Sequence, residues 1–177
     1  YYAMGFNIGI FIGGILAGFI LGNTMSPTFV FLILFFLSII VSLIIYMNGL
    51  PKDLDFKGEG EKLKIPEKNV LIFGFLLFVI FGSNGIIIDW SALWFTKELN
   101  APLYLASLGL ICLSCGGIFA NLFSNQLINL FSEKIVGCYF VIFGSLILFS
   151  SIIIGNFYFI LITFFFYGFL TANLVPI

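Results

Sequence analysis

The sequence predicts an all-α membrane protein, a polytopic bundle of transmembrane helices, and three observations carry that prediction. Hydrophobic residues make up 62% of the 177 and charged ones only 8%, where a soluble domain carries roughly a quarter charged. Ten of the fifteen charged residues fall between Lys52 and Lys68, so charge has left two long blocks and collected in one island. The remainder divides into six apolar stretches, and a helix needs about 20 such residues to cross some 30 Å of hydrocarbon. Long unbroken apolar runs are unlike the weak alternation of a membrane β-barrel.

The stretches follow in order. The first spans about 2–22 and the second 28–48; after the island come 69–95, 103–124, 135–155, and 157 onward. Turn-forming or polar residues separate them: Asn23 to Pro27, Lys97 to Pro102, Asn125 to Lys134, and Gly155–Asn156. Apart from the island these connections are short, as antiparallel neighbours in a bundle require. The island mixes charges of both signs with Pro51, Gly58, Gly60 and Pro66, a composition that builds no core and reads as a solvated linker. An amphipathic surface helix from Leu54 to Ile65 is the lesser alternative, weakened by its glycines.

Orientation follows from Lys counts in short loops. With the island in the cytoplasm, Lys52, Lys57, Lys62, Lys64, Lys68 and Lys134 lie inside and only Lys97 outside. Both ends of the chain then fall on the cytoplasmic side. Tyr1 is not an initiator Met, and the chain stops at Ile177 inside an apolar run; the expectation is an internal segment of a longer protein.

Composition also excludes. A net charge of −1 gives no basic footprint for nucleic acid. His is absent and all seven basic residues are Lys, which removes the commonest acid–base group and metal ligand and any guanidinium clamp on phosphate. No paired carboxylates, Ser/His arrangement or phosphate-binding glycine loop is present, so the chain reads as no enzyme, with no cofactor and no metal. Cys112 and Cys115 form C-x-x-C within an apolar stretch, where packing is the plain reading.

Within the membrane, candidate residues stand out against hydrocarbon. Gly5, Gly9 and Gly13, continued by Ala17, recur every four residues in the first stretch, with Gly14, Gly18 and Gly22 in a second row. Small residues at that spacing let helices approach closely. In the third stretch, Ser83-Asn84-Gly85 reads as a local break facing protein or a wet cavity. Asn84 is placed in the outer half of the membrane and Asp89 at its far boundary. Asp89 is either an interfacial carboxylate, with Trp90 and Trp94 as belt residues, or a substrate or cation contact. In the last stretch Pro176 predicts a kink, and Asn173, three residues earlier, is a hydrogen-bonding group for another helix or a solute.

At these residues the chain resembles the major facilitator superfamily, in particular its fucose-permease-like branch of bacterial inner-membrane proteins. Asp89-Trp90-Ser91-Ala92-Leu93-Trp94-Phe95 is similar to that branch's helix-seven pattern, and Gly168-Phe169-Leu170-Thr171-Ala172-Asn173-Leu174-Val175-Pro176 to its helix-ten pattern. The resemblance implies helices five to ten of a twelve-helix fold. Residues 1–48 would end the N-terminal bundle, 49–68 would be the cytoplasmic linker, and 69–177 would open the C-terminal bundle. It departs in three places, one of them Leu170, which stands where the helix-ten pattern has its second Gly. Asn84 stands where the family commonly has Glu, and the turn from Ser124 to Lys134 has amides for acids and no Arg.

The resemblance implies secondary active transport of a small, sugar-like or other organic solute by alternating access, with proton coupling as a symporter, in the lipid bilayer of a bacterial inner membrane. Asn84, Asp89, Trp90 and Asn173 would line or gate the pathway. The alternative is a non-transporting membrane scaffold or a degenerate relic of the fold.

Overall fold

The computed structural model describes residues 2–23, 26–48, 67–133 and 135–172; the charged island up to Pro66, Asn173 and Pro176 lie outside them. Among the described residues six α-helices follow one another: α1 Tyr2–Gly22, α2 Pro27–Asn48, α3 Lys68–Lys97, α4 Leu108–Phe131, α5 Phe140–Ile154 and α6 Phe157–Thr171. Among the described residues five helical segments are long and apolar enough to cross a membrane, and α6, with 15 residues, is a shorter apolar helix. The described residues contain no strand. The protein is an all-α, multi-pass integral membrane protein.

Three boundaries differ from expectation. Ser83-Asn84-Gly85 does not break α3, which runs unbroken for 30 residues. Ser83 donates to the Val79 carbonyl at 2.8 Å, so the helix absorbs this polar demand. At about 1.5 Å per residue α3 is some 45 Å long, and Asn84 lies just past its midpoint. Second, the segment after Pro102 begins as a single 3-10 turn, Leu103–Leu105, and α4 then continues through Asn125, Gln126 and Asn129 to Phe131. Those amides resemble turn residues in sequence, but helix propensity is a weak prior. Third, α5 is preceded by one π-type turn, Ile135–Tyr139.

α4 is the central helix. It packs against α1 on one side and α6 on another, α5 lies behind α6, and α3 rests along α4. α2 touches only α1 appreciably, and its apolar residues from Phe31 to Met47 are all exposed. Lipid is as apolar as these side chains, so close contacts form where small residues let backbones meet. A Cβ on Gly116 of α4 would collide with the Phe165 carbonyl of α6, and one on Gly168 of α6 with the Leu113 carbonyl of α4. Each helix thus supplies a glycine to the other's backbone. Gly109 makes room for Phe95, Phe164 and the Ser91 hydroxyl, each 3.0–3.1 Å from where its Cβ would stand.

The two glycine rows of α1 part company. Gly14, Gly18 and Gly22 press on Ile111, Ser107 and Tyr104, whereas Gly5, Gly9 and Gly13 meet nothing within 4 Å among the described residues.

The core is aromatic. Phe95 packs edge-on to Phe157 at 5.1 Å between ring centres and stacks on Phe164 at 5.9 Å, with Ile87, Leu113, Ile160 and Tyr167 around them. Trp94 lies beside the same cluster, 6.4 Å from Phe164 between ring centres. The α5–α6 hairpin closes on Gly155, at φ +62°, and on Asn156, whose side chain accepts from the Tyr158 and Phe159 amides at 3.1 and 3.2 Å. These are the C-cap and N-cap residues that a tight helical hairpin favours.

Candidate functional site

Where α1, α3, α4 and α6 face one another they leave a cavity. It offers about 90 Å³ to the centres of water molecules, and about 690 Å³ once its open side is counted. The aromatic core around Phe95 and Phe164 and the packed row Gly14–Gly18–Gly22 occupy one end of the bundle. The lining lies toward the other end: Ala3, Phe6 and Asn7 near the start of α1, and Gly168, Thr171 and Ala172 at the end of α6. Apolar side chains form most of the wall, Ile80, Ile88 and Leu113 among them.

Four polar residues interrupt that wall, one from each helix: Asn7, Asn84, Ser114 and Thr171. Their hydrogen-bonding roles differ. Ser114 donates to the Leu110 carbonyl at 2.7 Å and Thr171 to the Tyr167 carbonyl at 2.8 Å, so both hydroxyls turn lone pairs to the cavity and keep their protons on their own helices. The carboxamides of Asn7 and Asn84 make no hydrogen bond with the described residues, so each offers a donor and an acceptor. Asn7 is set in place by Gly117, where a Cβ would stand 2.7 Å from its amide nitrogen. No acidic or basic side chain lines the cavity among the described residues. Ser83, the residue before Asn84, lies near the Tyr167 phenol across the α3–α6 gap.

The residues singled out in sequence are therefore divided. Asn84 lines the cavity. Asp89 and Trp90 lie on exposed faces of α3 outside that lining, with Trp90 61% exposed. Asp89 makes no ion pair with any described residue. Asn173 lies outside the described residues, directly after the lining residue Ala172. Asn7, Ser114, Gly117 and Thr171 were not singled out. Asn7 had a usable signal, a lone carboxamide in an otherwise apolar, glycine-rich helix. Ser114 and Gly117 had none, since a serine and a glycine in an apolar helix are ordinary packing residues. Among the described residues no group of three or more His, Cys, Asp or Glu gathers as metal ligands would.

Among known proteins, a family model described as Major Facilitator Superfamily matches residues 1–177. No curated protein and no solved structure matches the chain.

Proposed function

The chain belongs to the Major Facilitator Superfamily, a family of membrane transporters of small solutes, and from that membership we propose that it carries a neutral, hydroxyl-bearing organic solute such as a sugar. The observation that supports this reading is the cavity's polar set: two carboxamides and two hydroxyl acceptors, from four helices, with no charge among them. A solute with several hydroxyls supplies both the donors that Ser114 and Thr171 accept and the acceptors that Asn7 and Asn84 require. Its ring carbons would lie on Ile80, Ile88 and Leu113. A carboxylate or phosphate would lose its hydration without gaining a cation.

In this proposal residues 1–48 close the N-terminal bundle, 49–68 form a cytoplasmic linker, and 69–177 open the C-terminal bundle of a twelve-helix transporter working by alternating access. The cavity then faces the cytoplasm, the side assigned to the start of α1 and the end of α4 by the Lys counts. Asp89 is the candidate proton carrier, on a different face of α3 from the solute, and Asn173 is a candidate solute contact.

Uptake by full-length protein in proteoliposomes, screened with neutral sugars and polyols and their acidic counterparts, tests the reading. Neutral solutes should be taken up and their acids refused. Asn84→Leu should lower uptake about tenfold, the cost of one unpaired buried hydrogen-bonding group. Folded protein that moves no neutral solute, or prefers the acids, would sink the proposal; absence of any flux or counterflow is what a scaffold or relic predicts.

A further inference from the structure

A second space opens on the outer surface of the bundle, where α4 ends and α5 begins. Ser132, at φ +64°, turns the chain sharply, and Phe131 lies edge-on to Phe140 at 5.5 Å between ring centres. The π-type turn that follows buries Val136 and Gly137 and leaves Ile135 and Tyr139 exposed. A groove of about 860 Å³, counted to its open side, runs from this turn along α5. Phe131, Ile135, Tyr139, Phe143 and Leu146 line it, joined by Leu170 of α6.

Length, lining and charge together say what fits it. From Ile135 to Leu146 the groove extends about 16 Å at about 1.5 Å per residue, roughly half of a 30 Å hydrocarbon layer. It starts beside Glu133 and Lys134, the only charged residues in the sequence after Glu98, so its mouth stands at the membrane face and its depth is one leaflet. Among the described residues its lining is apolar but for the Tyr139 phenol, and it holds no Gly, Ala or Ser. Helices meet in lipid where small residues admit a backbone, as Gly116 and Gly168 do between α4 and α6. A wall of Phe, Ile and Leu side chains leaves instead a furrow for a flexible chain of methylenes. At the mouth an acid and a base are neighbours: Glu133 is exposed, and Lys134 is next in sequence. That pair complements a headgroup carrying both a phosphate and an ammonium, whereas its two charges oppose each other on a headgroup that is only negative.

We propose that this groove holds one acyl chain of a zwitterionic phospholipid, with the phosphate at Lys134 and the ammonium at Glu133. The surrounding hydrocarbon is as apolar as the groove, so side-chain contact and headgroup pairing select this lipid, not removal from water. The bound molecule braces the turn between α4 and α5. Its headgroup bridges the charged pair, and its chain lies against Phe131 of α4, Leu146 of α5 and Leu170 of α6.

The test is native mass spectrometry of the full-length protein in detergent, titrated with phosphatidylethanolamine or phosphatidylglycerol of the same acyl chains. The first phosphatidylethanolamine should bind about fivefold tighter than the first phosphatidylglycerol, the worth of one charge at a membrane surface. Glu133→Lys should reverse that preference. Leu146→Trp and Ile142→Trp, which fill the groove, should each weaken the first phosphatidylethanolamine about tenfold. Ile153→Trp, on the apolar surface near the other end of α5, should leave it unchanged. Added phosphatidylethanolamine should also raise the thermal unfolding midpoint of the unaltered protein, and of neither groove variant. Equal binding of the two lipids overturns the proposal. So do groove variants that bind as Ile153→Trp does, the result expected if a further helix covers the groove. Using two groove positions protects the test against one variant that does not fold.

Discussion

At the scale of single residues, the site is a matter of which protons are already engaged. Thr171 and Ser114 bond their own helices, and Asn7 and Asn84 do not, so the carboxamides are the donors the cavity has to offer. Asn84→Ser, which keeps an acceptor but gives up a donor, should retain more uptake than Asn84→Leu in the same proteoliposome assay. Asp89 was conspicuous in the sequence because a carboxylate in an apolar stretch is costly; its address on the helix was not visible there, and it lies off the cavity face. If Asp89 carries the proton, Asp89→Asn should abolish accumulation driven by a pH gradient yet leave solute counterflow intact. Undiminished accumulation would remove it from the mechanism. Asn156 is a structural residue with a readable signature, an amide between an αL glycine and a helix start. Asn156→Ala should lower stability by about 1 kcal/mol, measured as a drop in the thermal unfolding midpoint in detergent, without changing solute selectivity.

At the scale of helices, the decisive contacts are those where a side chain is missing. The glycine periodicity of α1 was plain in the sequence, yet only half of it faces α4; periodicity gives the angle of a face and not its neighbour. The closest backbone approach falls elsewhere, at Gly116 and Gly168, which carry no repeat. Gly168→Ala should destabilise by about 1–3 kcal/mol, the usual cost of overfilling a packed site, because the Leu113 carbonyl already occupies the space. Gly9→Ala should leave the α1–α4 contact unchanged, since nothing among the described residues stands within 4 Å of its Cβ position. Unfolding midpoints of the two variants, compared in one detergent, decide the matter: equal losses would mean that the α4–α6 crossing is not as tight as the geometry requires. The unbroken course of α3 and the extension of α4 to Phe131 belong to the same scale. Serine and asparagine look like breaks in a hydropathy trace, but within a helix a serine returns its proton to the backbone, and an asparagine can face a cavity.

At the scale of the whole molecule, orientation is a consequence of where Lys is permitted. Thiol reagents applied from one side should label cysteines introduced at Asn125 and Asn100 from opposite faces of the membrane, with Asn125 cytoplasmic; labelling of both from one face would contradict the antiparallel course of α4. The surface of α2, exposed from Phe31 to Met47, expresses the same solvent: in lipid an apolar helix needs no partner to be stable. The sequence by itself determined that the chain is a membrane helical bundle, because span length and hydropathy are properties of single segments read against a 30 Å slab. Its two short motifs pointed to the right superfamily for a related reason: each is a short run of consecutive residues. Only the tertiary structure decided which helices meet, that α4 is their centre, and that Asn7, Asn84, Ser114 and Thr171 face a common space. Those facts depend on the rotation of each helix about its axis and on its neighbours. In a chain so uniformly apolar, the hydrophobic pattern that would ordinarily encode that rotation is nearly absent, and a few glycines and amides set it instead.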